Sequence, residues 1–269
     1  MTRRYALCGL SNRGIASFAL PMLGLDRDGA PSEEDHSAVA ELVAVVEPDA
    51  VRAAAFDSWL TDHGRPPLPR HDSVDALLAD PDAPELDALV VASPDHTHID
   101  HLRAGLAHGL DVVTEKPMVT TTEDARAVLA AEAASTGRVL VTHNFRYPPR
   151  HLQLKELLRA GRIGRVVQVL LEYHVDTSHG ASYFVRWNRA TAASGGLTLH
   201  KSTHHLDLVG WLLDDEPVRV AAAGGRWFYG PDSPHRPRAA DGTALTGTEL
   251  RAADPYWRTM VDRGAVAEP

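Results

Sequence analysis

Gly9-Leu10-Ser11-Asn12-Arg13-Gly14 is the stretch that decides the fold, and it directly follows the apolar run Tyr5-Ala6-Leu7-Cys8. It fits the turn G-x-G-x-x-G, with a serine at the second glycine position. In such a turn the first glycine permits a tight bend, and the last permits close packing of the next helix on the strand. The free N–H groups at the start of that helix favour a phosphate. The pattern therefore predicts a diphosphate site built by Gly9, Ser11, Asn12, Arg13 and Gly14.

Strand and helix patterns alternate outward from this turn. Short apolar runs predict five buried strands, at residues 5–8, 41–46, 86–92, 111–114 and 138–141. Apolar residues at helical spacing predict four helices between them, at residues 15–23, 51–63, 99–108 and 123–135. Strands joined by single helices form right-handed βαβ units and a parallel sheet. Residues 1–143 are therefore predicted to form an α/β Rossmann domain with a doubly wound parallel sheet.

An acidic residue after the second strand is the next element of this fingerprint, because it holds a ribose hydroxyl of the dinucleotide. Glu47 stands at that position. Its distance from Gly14 exceeds the usual spacing of about 20 residues, so residues 25–37 are predicted to be an inserted loop. A carboxylate here would repel a 2′-phosphate, which favours NAD over NADP as the cofactor.

The pattern changes after residue 143. Helical spacing continues at residues 152–160 and 197–213, whereas residues 166–174 and 218–229 alternate like strands, and residues 230–247 are rich in loop-forming residues. We expect residues 144–269 to form an α+β substrate-binding domain with a mostly antiparallel, incomplete sheet. Three polar residues near the end of the first of these strands are further candidates for lining a substrate site: His174, Asp176 and His179.

Composition excludes several classes of protein. The formal net charge is −9, which gives no electrostatic support to a nucleic-acid partner. The single cysteine, Cys8, rules out an intrachain disulfide and a cysteine-based metal cluster. No apolar run approaches the roughly 18 residues of a membrane-spanning helix. We therefore expect a cytoplasmic protein without a membrane partner.

Four later segments carry a resemblance to a known family. They are residues 92–98 (ASPDHTH), 115–117 (EKP), 141–147 (VTHNFRY) and 195–207 (GGLTLHKSTHHLD). In this order they resemble the signature loops and the substrate-domain helix of the Gfo/Idh/MocA oxidoreductases, the glucose–fructose oxidoreductase and inositol dehydrogenase type. The match runs from about residue 5 to 229, and the lysine-proline loop with the histidine helix is more specific than the glycine turn alone.

The resemblance implies roles for residues outside the glycine turn. The cofactor-binding set adds Ser93, Pro94, His96, His98, Glu115, Lys116 and Asn144. The candidates for substrate contact are Arg146, Tyr147 and Lys201, although a structural ion pair and packing remain an equal alternative for Arg146 and Tyr147. The family also often has a cis peptide bond before the proline of its lysine-proline loop.

The general base is left open among three residues. A lysine beside an oxidised nicotinamide has a lowered pKa, so Lys116 can act as an acid or a base. His204 matches the family's catalytic histidine, whereas His200 stands where the family usually has an aspartate, four residues earlier on the same helix face. This departure puts the assignment in doubt. Asp207 is expected to orient His204 or to cap locally.

The implied activity is NAD(P)-dependent hydride transfer between a nicotinamide and a secondary alcohol or ketone of a sugar or cyclitol. The small-molecule partner would be a sugar or polyol, and a homo-oligomer is compatible with the resemblance. Because family members run further, the resemblance predicts a C-terminally truncated chain. The alternatives are a non-catalytic dinucleotide-binding regulator, a truncated inactive homologue, a glycoside-cleaving enzyme with bound NAD, and a metal-dependent hydrolase using His200, His204, His205 and Asp207.

Overall fold

The computed structural model describes residues 2–175, 183, 187–225, 233–234, 236–253 and 258. Residue contacts divide the chain into two compact units, Met1–Asn144 and Phe145–Pro269.

The first unit contains one parallel sheet of six strands: β1 (Arg3–Cys8), β2 (Ala40–Val46), β3 (Arg70–His71), β4 (Ala88–Val91), β5 (Asp111–Thr114) and β6 (Val139–Val141). The strand order is β3-β2-β1-β4-β5-β6. The chain therefore builds one half of the sheet outward from β1, returns to the centre at β4 and builds the other half. This order confirms the predicted doubly wound α/β fold, whose ligands bind where the order reverses.

The predicted count of five strands is wrong, because it omits β3. This edge strand has only two residues and follows the proline-rich residues 66–69. Proline cannot donate to a strand ladder and is confined to strand ends and sheet edges, so such a segment does not have a strand pattern. The short helix Val74–Ala79, which follows β3, was not predicted either.

Helices cover both faces of the sheet. After β1 the chain is helical through an α-helical turn at Asn12–Gly14, a π-helical stretch at Ile15–Ala19 and a second α-helical turn at Leu20–Leu23. With the helix Ala50–Asp62 it buries one face, around Leu7, Val45 and Val90. The helices Val74–Ala79, His98–Ala107 and Thr122–Ala134 bury the other face. Neighbouring strand residues thus point into two separate cores.

Strand register aligns the ends of the central strands. Cys8 pairs with Val46 on β2 and with Val91 on β4, and Val91 in turn pairs with Thr114 on β5. The residues that directly follow these partners therefore lie at one edge of the sheet; they are Gly9, Glu47, Ala92 and Glu115. We call this the carboxyl edge.

The regular elements in the described part of the second unit are helices and helical turns. It contains the α-helices Pro149–Arg159, Thr191–Ser194, Gly196–Leu213 and Gly247–Ala253, and the 3-10 turns Asn144–Arg146 (its first residue in the first unit) and Trp187–Arg189. The helix predicted at 197–213 is therefore confirmed with one additional residue. The last helix, Gly247–Ala253, follows the predicted loop and was not expected.

The strand predicted at 166–174 is wrong: these described residues adopt neither helix nor strand. The same holds for 218–225, whereas 226–229 lie outside the described residues. Alternation predicts a strand because the apolar side chains on one face of the strand are expected to be buried. Here Val167 and Leu170 are 83% and 78% exposed, and Val218 is fully exposed. These side chains pack against nothing that would support a sheet among the described residues. His174 is likewise exposed, and Asp176 and His179 lie outside the described residues.

Candidate functional site

The glycine turn needs both of its glycines. Gly9 has a φ of +92°, and a Cβ atom there would lie 2.6 Å from the Cα atom of Ser93. At Gly14 a Cβ atom would lie 2.5 Å from the Gly9 carbonyl oxygen. The backbone of this turn therefore passes close to β4 and forms an open cradle in which no side chain of these two residues blocks a diphosphate.

Ser11 supports the cradle from within. Its hydroxyl oxygen accepts a hydrogen bond from the Gly14 N–H at 2.9 Å and donates its proton to the Ala92 carbonyl at 2.8 Å. Ser11 is thus the N-cap of the helical segment and ties the turn to β4. Asn12 and Arg13 are exposed next to it, and the Asn12 side-chain oxygen accepts from Arg27 at 2.8 Å.

Glu47 holds the turn from the other side. Its side chain is only 3% exposed, and its carboxylate accepts from the Leu10 N–H at 2.9 Å and from the Asp49 N–H at 3.0 Å. Arg52 lies 3.3 Å from the same carboxylate. The predicted ribose ligand is therefore a buried acid that already accepts from the Leu10 N–H of the turn and from the Asp49 N–H.

The loop after β4 contributes Ser93, Pro94, His96 and His98. Pro94 and His96 are exposed, and the Ser93 hydroxyl lies 2.7 Å from the Thr97 hydroxyl. His98, also a predicted cofactor contact, is only 1% exposed. Its ring nitrogens lie 2.9 Å from the Pro117 carbonyl and 3.0 Å from the Ser93 carbonyl. Burial lowers the pKa of His98, and a neutral ring donates only one of these two bonds at a time.

The lysine-proline loop lies beside the glycine turn. Arg13 Nε donates to Glu115 Oε1 at 2.8 Å, and the Glu115 N–H donates to the Val91 carbonyl at 2.8 Å. Lys116 follows at once, is half-buried, and has a cis peptide bond to Pro117, as the resemblance implied. The two loops on which the cofactor prediction depends therefore meet at the carboxyl edge.

Asp95 is a member of this cluster that the sequence prediction did not assign. It lies in the 3-10 turn Asp95–Thr97 and is 6% exposed. Burial raises the pKa of Asp95 to about 7, while the Lys116 ammonium opposes this rise and the Glu115 carboxylate adds to it. The one sequence signal for it was its place between Pro94 and His96 in a loop that leaves the carboxyl edge.

Asn144, Arg146 and Tyr147 follow β6. Asn144 is exposed and ends the first unit. In the second unit Arg146 forms a two-pronged ion pair with Asp207, with Nε 2.8 Å from Oδ2. Asp207 therefore holds Arg146, whereas its predicted roles were to orient His204 or to cap locally. Tyr147 is 66% exposed and available for contact.

His200 and Lys201 share one aromatic neighbour, Tyr183. The Tyr183 hydroxyl lies 2.8 Å from His200 Nδ1, and the Lys201 ammonium lies 5.7 Å from the centre of the Tyr183 ring. Desolvation lowers the pKa of Lys201. Sequence reasoning missed Tyr183 because no motif surrounds it.

His204 is 7% exposed and stacks on Phe145, with 4.3 Å between the ring centres. His205 contacts Tyr173 at 4.5 Å, and desolvation and then Lys201 lower its pKa. Of the histidines of the hydrolase alternative, His204 and His205 thus both contact Phe145, whereas His200 contacts Tyr183. Throughout the described ranges, no group of three or more His, Cys, Asp or Glu residues is arranged to hold a metal ion.

A doubly wound sheet with a glycine cradle and a lysine-proline loop at one edge defines the class of NAD-binding Rossmann proteins. Residues 3–143 match the profile of the oxidoreductase family's NAD-binding Rossmann fold, and residues 155–262 match that family's C-terminal alpha/beta domain. The chain belongs to this Gfo/Idh/MocA oxidoreductase family, as the resemblance indicated.

Two similar proteins are named as an oxidoreductase and as a dehydrogenase. YteT of Bacillus subtilis (strain 168), which is named as an oxidoreductase, is 39% identical over 246 residues, which cover 91% of this chain and 54% of YteT. Inositol 2-dehydrogenase 1 of Saccharopolyspora erythraea is 32% identical over 218 residues, covering 80% of this chain and 54% of that enzyme.

A solved structure is similar as well. The WlbA dehydrogenase of Bordetella pertussis, in complex with NADH and UDP-GlcNAcA, aligns with a TM-score of 0.61 at 25% identity, covering 79% of this chain and 55% of WlbA. The chain therefore spans about half the length of these relatives. As for membranes, none of the helices within the described residues combines the length and the apolar character needed to cross one.

Proposed function

We propose that this chain is an NAD-dependent dehydrogenase that converts a secondary alcohol of a sugar or cyclitol to the ketone, or carries out the reverse reduction. The observation that carries the proposal is the bond between Arg13 and Glu115, which joins the glycine cradle to the lysine-proline loop. This bond holds Lys116 at the edge where a dinucleotide would be bound. The names of the inositol 2-dehydrogenase relatives support a polyol substrate.

The cradle would bind the diphosphate, with backbone N–H groups of residues 11–13 as donors. Gly9 and Gly14 fit this role because a Cβ atom at either would collide with backbone. Asn12, Arg13, Ser93, Pro94, His96 and Asn144 are proposed to contact the remainder of the dinucleotide. Glu47 and His98 are proposed to act through the loops that they hold, and the negative charge of Glu47 favours NAD over NADP.

Alcohol oxidation removes a hydride and a proton from the substrate. A bound nicotinamide ring would accept the hydride, and a side chain of the protein must accept the proton. We assign the proton to Lys116 because it is half-buried at the carboxyl edge. His200, His204, Tyr147 and Lys201 are proposed to contact the substrate, whereas Arg146 is proposed to shape that surface through Asp207.

The test combines binding with turnover. NADH and NADPH are titrated by fluorescence, and a panel of cyclitols and sugars is then assayed by absorbance of the reduced nicotinamide. We expect saturable binding with NADH tighter than NADPH, and turnover of at least one polyol. Equal affinity for both nucleotides would refute the NAD preference, and absence of saturable binding would refute the proposal as a whole.

Lys116→Met tests the proton-accepting role, because it keeps the length of the side chain and removes its charge. We expect turnover to fall by about 10²–10⁴-fold with NADH affinity retained. For the His204→Ala variant assayed beside it, His108→Ala is the matched control, since the His108 ring is exposed at the end of a helix and bonds the Ala104 carbonyl. If Lys116→Met keeps turnover while His204→Ala abolishes it, the proton role belongs to His204.

Nucleotide binding without turnover is a second candidate function. It is favoured by one observation: residues 166–174, expected to form a strand of the substrate-binding unit, form none and leave Val167 and Leu170 exposed. Saturable NADH binding together with failure of the whole substrate panel would favour this function over the dehydrogenase.

A further inference from the structure

We propose that Asp95 is a positioning residue for Lys116: its carboxyl group holds the lysine ammonium at the carboxyl edge and receives the proton that Lys116 takes from the substrate. The inference rests on the proposed function, because it supplies the next step of the proton's path. Neither a motif nor the likeness to relatives assigns this role to Asp95.

Sheet register brings Asp95 and Lys116 together. Val91 and Thr114 are partners on β4 and β5, so the loops that follow them leave the sheet side by side. The Glu115 N–H donates to the Val91 carbonyl at 2.8 Å, and His98 Nδ1 lies 2.9 Å from the Pro117 carbonyl. The first contact fastens the loop that contains Lys116 to the end of β4, and the second fastens it to His98, which directly follows the turn that contains Asp95.

Burial makes the pair sensitive to protonation. Asp95 is 6% exposed, and a carboxylate in such surroundings is costly unless a cation compensates it. The charged groups that face it are the Lys116 ammonium, which favours its ionised form, and the Glu115 carboxylate, which disfavours it. Arg13 pairs with Glu115 at 2.8 Å and so reduces that second effect. With a pKa of about 7, the Asp95 carboxyl group can gain or lose a proton near neutral pH.

The proton passes from the substrate to Lys116 and then to Asp95. The neutral amine of Lys116 forms an N–H bond as the substrate O–H bond breaks, and the hydride leaves the carbon for an oxidised nicotinamide. The resulting ammonium then gives one proton to the Asp95 carboxylate, which becomes a carboxylic acid and later releases the proton to water. Lys116 returns to the neutral amine, ready for another substrate.

Trace acylation with acetic anhydride tests the pairing without any nucleotide or substrate. The reagent modifies only neutral amines, so the extent of labelling of Lys116 against pH, read by peptide mass spectrometry, reports the fraction of neutral amine. Lys155 and Lys201 in the same sample are internal references. We expect Asp95→Asn to move the Lys116 midpoint down by about 1 pH unit or more, because it removes an adjacent negative charge.

Asp100→Asn is the matched control, because Asp100 is exposed in the helix that follows and its change is chemically identical. It should leave the Lys116 midpoint in place. A midpoint that does not move in Asp95→Asn would overturn the proposal. Should that variant fail to fold, Lys116→Met provides the reciprocal measurement: carbon-13 NMR of the Asp95 carboxyl should show a midpoint above 7 once the ammonium is removed.

Turnover gives a separate readout. In Asp95→Asn we expect kcat to fall about tenfold or more and the pH-dependent limb near 7 to disappear, with KM for the dinucleotide unchanged. If no substrate is turned over, the proposed function fails while the acylation experiment still decides the pairing. If turnover requires Lys116 but Asp95→Asn alters neither labelling nor pH profile, the pairing fails and the proposed function stands.

Discussion

Replacing Gly9 by alanine tests the close approach of the glycine turn to β4. Gly9 has a φ of +92°, where a side chain is strained, and its added Cβ would lie 2.6 Å and 2.7 Å from the Cα and N atoms of Ser93. These are backbone atoms of the loop after β4, so they cannot rotate away as a flexible side chain would. Gly9→Ala must therefore push the two loops apart.

Two effects contribute to the loss of unfolding free energy in Gly9→Ala. Left-handed backbone strain costs roughly 1–2 kcal/mol for a residue with a Cβ atom. Overpacking against backbone costs about 1–3 kcal/mol more. Gly9→Ala should therefore lower the free energy of unfolding of the first unit by about 2–5 kcal/mol. Gly64→Ala is the matched control, since Gly64 has a φ of +70° but no atom within 4 Å of its added Cβ, so only the strain of about 1–2 kcal/mol applies.

Cys8 provides the assay, because it is the chain's single cysteine, is fully buried and directly precedes Gly9. Its exposure to a thiol reagent along a urea gradient reports unfolding of the first unit alone, and an NADH titration of each folded variant reports the cradle. We expect Gly9→Ala to unfold at lower urea than Gly64→Ala and to bind NADH more weakly. Equal unfolding midpoints for the two variants would refute the close-contact reasoning.

Three further outcomes are expected. Burial raises the pKa of Asp95 to about 7, so the folded protein keeps a proton that the unfolded chain releases near pH 4. The free energy of unfolding should therefore fall as the pH rises from about 4 to 7, by at most about 1.4 kcal/mol per pH unit. Urea titrations of Asp95→Asn should lose this slope. Burial raises the pKa of the Cys8 thiol to about 12, so thiol reagents at pH 8 should leave the native protein unlabelled; rapid native labelling would contradict this burial. Asp207→Ala should destabilise the second unit by about 1–3 kcal/mol, measured by thermal unfolding, because it leaves Arg146 without its carboxylate. The same change should cost less in an Arg146→Met background, where the ion pair is already absent.

The sequence predicted the first unit well because its central strands contain buried apolar runs. All four residues of β4 are buried, as are the last three residues of β1 and of β2. It failed where a strand depends on its partners. Arg70–His71 is held by pairing with β2 and has no pattern of its own, and residues 166–174 have the pattern but no partner to bury it among the described residues.

Some site residues could likewise be predicted from sequence motifs, whereas others could not. Gly9 and Gly14 follow from a motif whose residue types are required by backbone geometry, and Lys116 follows from the family resemblance. The roles of Glu47, His98 and Asp95 depend on how deeply each is buried and on which atoms surround it, and one sequence contains neither quantity. The sequence therefore places these three at the right edge of the sheet but cannot separate a residue that touches a ligand from one that supports it.

The bond from the Leu10 N–H to the Glu47 carboxylate bears on attempts to re-engineer this protein for NADPH. Exchanging the acid after the second strand is the obvious way to admit a 2′-phosphate. Here that exchange would also remove a buried acceptor of the phosphate turn, and the cradle would loosen for both nucleotides. A designer would do better to keep Glu47 together with its partner Arg52, and to place the new charge at the neighbouring Val51, whose side chain is 81% exposed.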